Sequence, residues 1–182
     1  MRSGFNVLLL TGILISMMIL SNPGYAEPGP SKINTSIYVY NIRGFDVSTG
    51  QYSVDFYLHF KWNPDEVPTN ISDQVASFDL MNGRIDNQKS LTNEPGNIWL
   101  EVSGTFNKQV DLKDYPVDTQ TMTLELENSN LNNTALIYVA DTNESSLDKD
   151  VQVLGWARVG TFILQTISIQ PLVKHIPALS IK

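Results

Sequence analysis

Four acidic residues stand close enough along the chain to be weighed as a general acid and its base. Asp65 and Glu66 are neighbours, and Asp111 and Asp114 are three apart. Two carboxyl groups flanking a glycosidic bond would do this work, one protonating the leaving oxygen and the other acting as base or nucleophile. Nothing in the sequence fixes the geometry of either pair, and adjacent surface carboxylates are ordinarily solvated, so catalysis is not expected. The 182 residues include no cysteine, which excludes thiol nucleophiles, disulfide frameworks, zinc–thiolate sites and iron–sulfur clusters. His59 and His175 are the only histidines, too few for a His-rich metal centre. His59 sits in an alternating run where it is a pH-responsive group, a ligand contact or a polar surface residue. No cofactor and no metal are expected.

Charge and composition narrow the partners. Twelve basic residues face 19 acidic ones, a net charge of −7, so the basic patch of a nucleic-acid binder is not in prospect. Hydrophobic residues make up 42% and charged residues 17%, which is too apolar for a disordered chain.

The elements that must position these groups read as β. From Tyr52 to Trp62, Val54, Phe56, Leu58, Phe60 and Trp62 alternate with Ser53, Asp55, Tyr57, His59 and Lys61. A period of two over this length predicts a strand with one buried face. Upstream, Ile37, Val39 and Asn41 alternate with Tyr38, Tyr40 and Ile42 in a run from Thr35 to Phe45. Asp46–Gln51 between them carries turn chemistry, so the two runs make a hairpin. Further strands are predicted over Ile98–Phe106, Thr119–Glu127, Ala135–Ala140 and Val151–Ile169. In Thr119–Glu127 the buried face is Met122, Leu124 and Leu126. Val67–Asn97 is the least regular stretch, with turn signals at Asn82-Gly83 and Pro95-Gly96. Many short strands without a long helical period predict an all-β sandwich or barrel.

The N-terminus reads as an address. Arg2 precedes a mostly apolar run, Val7–Leu20, followed by Asn22-Pro23-Gly24 and a small–x–small site, Gly24-Tyr25-Ala26. This is the pattern of a secretory signal peptide over residues 1–26. As a helix the run spans about 21 Å, short of the roughly 30 Å hydrocarbon core. Cleavage after Ala26 removes one charge, that of Arg2, and takes the net charge to −8. The expected location is extracytoplasmic, secreted or at the cell surface. Asn34, Asn70, Asn132 and Asn143 each begin an Asn-x-Ser/Thr triplet, which is compatible with surface loops in that location.

One run carries more than turn chemistry. Asp111-Leu112-Lys113-Asp114-Tyr115-Pro116-Val117-Asp118-Thr119-Gln120 joins two predicted strands, with Pro116 holding Tyr115 extended. It resembles the signature loop of the pentameric ligand-gated ion channels, the Cys-loop receptor superfamily: an acidic residue, a spacer, then aromatic–Pro–aromatic–Asp–x–Gln. Val117 stands where the second aromatic is usual. The two cysteines that bracket this loop in animal members fall, by counting, on Lys108 and Met122, so the chain is similar to the prokaryotic members. Phe45-Asp46 through Trp62 resembles the first two extracellular strands of that family, ending at its characteristic tryptophan. Gly155-Trp156 resembles a Gly-Trp of bacterial members.

The resemblance implies an immunoglobulin-like twisted β-sandwich over residues 27–182, of the neurotransmitter-gated channel ligand-binding type. It implies agonist binding between adjacent subunits of a homopentamer, in a box of aromatic side chains. Tyr57, five residues before Trp62, then corresponds to an aromatic on the complementary face; the residues alone leave it equally an exposed strand tyrosine. Phe78 corresponds to a position in the first principal-face loop, and is otherwise simple core. Ser129 stands where the next loop has an aromatic. His59 shares the face of Tyr57. The segments Asp46–Gln51 and Asp114–Asp118 correspond to loops that meet the membrane domain, which gives Asp111, Tyr115, Pro116, Val117, Asp118 and Gln120 a gating role. Trp62 and Pro116 read as structural, the first plugging the sandwich core. The family's membrane helices are expected after Pro171–Leu179, whereas this chain runs to Lys182. The expected function is therefore ligand binding in a truncated or split pentameric channel. The alternative is a soluble exported binding protein of the same fold with no channel activity.

Overall fold

A computed structural model describes residues 29–113, 119–157, 167–169, 173–175 and 178–180. The expected export signal, residues 1–26, lies outside them. The predicted hairpin forms the centre of the fold. β1 (Ser31–Asp46) and β2 (Gln51–Lys61) run antiparallel through a tight turn. At the turn the Asp46 carboxylate accepts hydrogen bonds from the Ser48 backbone N–H at 2.8 Å and the Ser48 hydroxyl at 2.7 Å. Gly50 has φ +70°, and a Cβ there would lie 2.0 Å from the Lys108 carbonyl oxygen, so only glycine fits.

A four-residue helical turn, α1 (Thr69–Ser72), and β3 (Phe78–Leu80) follow. Then come β4 (Gly83–Glu94) and β5 (Asn97–Asn107), turning at Pro95-Gly96. The remaining strands are β6 (Thr121–Thr123), β7 (Leu126–Asn128), β8 (Leu136–Ala140), β9 (Ser146–Leu147), β10 (Ile167–Ile169), β11 (Val173–His175) and β12 (Ala178–Ser180). The main sheet has the order β4-β5-β2-β1-β8, with β9 also on β1. β5 pairs with β2 along its whole length, and β8 and β9 add to β1 in parallel. Three short ladders complete the β structure: β3–β7, β6–β12 and β10–β11.

The core lies between the inner face of the main sheet and the residues of β3, β6 and β7. Val54, Phe56, Leu58 and Phe60 of β2 are wholly buried there, each contributing about 1.5–3 kcal/mol relative to exposure. The Phe60 ring stacks on Tyr138 at 5.0 Å and meets Phe78 at 6.1 Å. Two buried phenols fasten the layers. Tyr138 donates to the Val75 carbonyl at 2.6 Å and accepts from Asn128 at 3.0 Å. Tyr52 donates to the Thr123 carbonyl and accepts from the Thr123 N–H at 3.0 Å. Burial raises the pKa of both groups, so they remain neutral donors.

The sheet differs from the sequence pattern in five places. The Val67–Asn97 stretch contains β4, twelve residues long and mostly exposed. It is an edge strand with no face to bury, so no alternation marks it. Thr119–Glu127 is two strands, because Leu124 and Glu125 leave the ladder; the Glu125 N–H turns to the Asn82 side chain at 3.1 Å. Its alternation still holds, with Met122, Leu124 and Leu126 buried. Val151–Ile169 is not one strand: Val153 bridges to Trp156 across a turn at Leu154-Gly155, with Gly155 at φ +83°, and the only strand in this stretch among the described residues is β10. Trp62 packs on the rim of the core, half-exposed, and does not plug its interior. Finally, the polar face of β2 is not solvated: Asp55 and His59 are as buried as core residues.

Candidate functional site

That covered polar face is where side chains with chemistry collect. β2 is flanked by β1 and β5, so its outward residues have neighbours on both sides. Tyr57 lies opposite Tyr38 on β1 and Glu101 on β5. His59 lies opposite Ser36 and Trp99. Two irregularities in β1 decide which further residues join them. The pairing slips between Val39 and Asn41 and again between Ile42 and Gly44, leaving Tyr40 and Arg43 as extra residues. A bulge re-aims the strand and inverts its phase. Hence Asn41 faces outward and Ile42 is buried, the reverse of their places in the simple alternation.

The result is an aromatic patch centred on Tyr57. Its ring centroid is 4.8 Å from that of Tyr40, 6.3 Å from Tyr38 and 6.5 Å from Trp99. The His59 ring lies 4.3 Å from Trp99. Carboxylates bound the patch. Tyr40 donates its hydroxyl to Glu101 at 3.1 Å, and Tyr38 donates to Asp148. Burial, then the Glu101 contact, pushes the Tyr40 phenol up to about 12. The hydrogen bond to Asp148 raises the Tyr38 pKa, and the same bond lowers that of Asp148. Beside the patch, Arg43 pairs with Asp55 at 3.2 Å and Asp86 at 3.7 Å, and Asn41 donates to Asp55 at 2.8 Å.

His59 is held on two sides. Its Nε2 is 2.8 Å from Asn97 Oδ1 and its Nδ1 is 3.6 Å from Glu144, which also pairs with Lys61 at 2.5 Å. Burial lowers its pKa and outweighs the Asn97 hydrogen bond, which acts the other way, so the neutral ring is favoured.

The remaining sequence candidates lie elsewhere. Phe78 is buried against Phe60, on the sheet face opposite Tyr57. Ser129 is exposed at the end of the β3–β7 ladder, its N–H on the Ser77 carbonyl at 2.9 Å. Phe78 and Ser129 are thus near each other, whereas Tyr57 and His59 form a separate group. Tyr115, Pro116, Val117 and Asp118 lie outside the described residues. Gln120, at the loop's far end, is 3% exposed. Its amide donates to the Asp111 carbonyl at 2.7 Å and accepts from Lys108 Nζ at 2.7 Å. The Asp111 carboxylate is exposed and pairs with Lys113 at 3.0 Å. The loop's base adjoins the β1–β2 turn, because the Lys108 N–H donates to the Gly50 carbonyl at 3.0 Å. Asp65 and Glu66 sit on an exposed turn that Asn63 organises, bonding the Asp65 N–H at 3.1 Å and the Glu66 carboxylate at 2.9 Å. Among the described residues no group of three or more His, Asp or Glu could hold a metal ion. None of their helices is long and apolar enough to cross a membrane.

Sequence reasoning missed Tyr38, Tyr40, Trp99 and Glu101 as companions of Tyr57. A signal for the tyrosines existed. Counting back from the Asp46–Gln51 turn pairs Tyr57 with Tyr40 if the strands are regular and with Tyr38 if they slip by two, so both belong beside it. Trp99 and Glu101 needed the register of β5 on β2. No protein-family model matches the chain, and no curated protein matches it.

Proposed function

We propose that this chain is a ligand-binding domain of the pentameric ligand-gated channel type, and that the outer face of its main sheet contributes to a site for a small organic cation at a subunit boundary. The observation that carries the reading is the packing of Tyr57 against Tyr40, Tyr38 and Trp99, with Glu101 at its side. Aromatic faces attract ammonium groups through their quadrupole, and the adjoining carboxylates add to that potential. Tyr57 is also the residue that the resemblance to the channel family assigns to the complementary side of an agonist site. Ser129, exposed on the other side of the fold, then belongs to the opposite boundary of the same subunit, whereas Phe78 is core. Ion conduction in this scheme is the work of a membrane domain, and the part played here is recognition and assembly.

The test combines size and binding in one sample. Light scattering across a concentration series is expected to show assembly of five copies. Benzyltrimethylammonium is expected to perturb the Trp99 indole saturably. Tyr57→Ala should weaken that binding by about tenfold, the loss of one cation–π contact. A monomer at every concentration whose Trp99 signal ignores the ammonium overturns the proposal. A monomer that still binds through Trp99 supports recognition without a pentamer, and rules out the boundary site.

A further inference from the structure

At the end of the sheet remote from the β1–β2 turn lies a cavity of about 430 Å³ that nothing above uses. The eleven residues of β2 separate the two ends by about 35 Å. Its apolar surfaces come from Trp62, Val67 and Ile98, and its walls from α1 with the following turn and from the β4–β5 hairpin. Val67 and Ile98 are buried, which makes a fixed floor, whereas Trp62 is half-exposed and presents aromatic surface. The hairpin is locked to the tryptophan: the Trp62 N–H donates to the Gly96 carbonyl at 3.1 Å, and a Cβ on Gly96 would lie 2.7 Å from the Trp62 carbonyl.

Two carboxylates line this cavity, Asp73 from the α1 side and Glu94 from the hairpin side, and no basic residue lines it. Both side chains are exposed, and among the described residues neither has a hydrogen-bond or ion-pair partner. The indole of Trp62 adds an independent irregularity. Its Nε1 is the one buried side-chain polar atom among the described residues that lacks a hydrogen-bond partner. In native structures such atoms are rare.

We infer that this cavity is a second ligand site, separate from the Tyr57 face, and that it takes a small amphipathic ammonium compound. The cation would lie between Asp73 and Glu94, with the apolar body against Trp62 and the Val67–Ile98 floor. The volume suits a molecule of that size. The lining excludes anions, because it offers two negative charges and no compensating cation.

The experiment follows the three indole N–H resonances of the full-length, isotopically labelled protein during titration with benzyltrimethylammonium chloride. Sodium chloride at matched ionic strength is the control. Trp62 is assigned by Trp62→Phe or, if that variant does not fold, by elimination with Trp99→Phe and Trp156→Phe. The Trp62 resonance is expected to shift saturably. Asp73→Asn with Glu94→Gln should weaken that response by about tenfold, the summed loss of two partly screened charges. Tyr57→Ala should leave it unchanged while weakening the Trp99 response, so failure here and failure of the Tyr57 site are told apart. A Trp62 shift that stays linear with ammonium concentration, or a saturable one that the double substitution does not weaken, overturns the inference.

Discussion

Gln120 is the residue whose replacement tests most directly how the loop after β5 is held. Its side chain is 3% exposed and bridges two points twelve and nine residues upstream, accepting from Lys108 Nζ and donating to the Asp111 carbonyl, both at 2.7 Å. The first contact is charge-assisted, at about 1.5–3 kcal/mol, and the second is an ordinary amide–carbonyl bond, at about 0.5–1.5 kcal/mol. Lys108 is half-buried and Asp111 exposed, so water recovers part of this once the bridge is gone. Gln120→Leu, which keeps most of the volume, should therefore cost about 2 kcal/mol. In urea, with a slope of about 2 kcal/mol/M for a domain of this size, the unfolding midpoint falls by about 1 M. Lys108→Met should cost less, and the double variant should reveal a coupling of about 1–2 kcal/mol, because both changes remove one contact. Hydrogen exchange should quicken along 108–120 and not in β2. A Gln120→Leu midpoint within about 0.2 M of the parent at unchanged slope refutes the bridge as a stabilising element.

Three further outcomes follow from the same structure. His59 has a lowered pKa in the fold, so its stabilising contribution is complete above the ordinary value of 6.5 and is lost as pH falls through the folded value. Urea titrations at a series of pH values should show this slope, and His59→Gln should flatten it; an unchanged slope rejects the assignment. Tyr138→Phe should destabilise by about 1–3 kcal/mol by depriving the Val75 carbonyl and Asn128 of a buried partner, measurable by thermal unfolding. Gly50→Ala should lose about 1–3 kcal/mol from its φ alone, with more from the clash against Lys108, and circular dichroism melts should order it below Tyr138→Phe.

The hairpin was legible in the sequence because both faces of its pattern had a physical cause. Phe56, Leu58 and Phe60 had to be buried, and Asp46 through Gly50 had to turn. What could not be read is instructive in the same terms. β4 has twelve residues and no buried face, so it leaves no period in its composition. The bulges at Tyr40 and Arg43 depend on how β1 must twist beside β2, which alternation does not encode. Tyr57 was singled out by the resemblance, and the alternation of its strand put it on the face opposite Phe56 and Leu58. Its partners were not, because Trp99 and Glu101 arrive from a strand about forty residues later whose register only the folded sheet defines. Likewise Asp73 and Glu94 are unremarkable acidic residues until α1 and the β4–β5 hairpin bring them to one cavity.

Both proposed sites depend on the same electrostatic circumstance, and it separates their ligands from the alternatives. The chain carries −7, and each site has aromatic surface edged by carboxylates. At the Tyr57 face the acids already accept phenol hydrogen bonds: Glu101 from Tyr40 and Asp148 from Tyr38. Those bonds hold the rings in place and leave the carboxylate charge only partly available to a visitor. At the Trp62 cavity Asp73 and Glu94 have no such prior engagement, so a cation there meets their full, solvent-screened charge. Affinity at the cavity should therefore fall more steeply with ionic strength than affinity at the Tyr57 face, where ring contacts within a few ångströms dominate. Repeating the ammonium titration at low and high salt, and reading Trp62 and Trp99 separately, decides the point. Equal salt dependence at the two indoles would mean that the same long-range field draws the ammonium to both places. In that case neither aromatic surface discriminates.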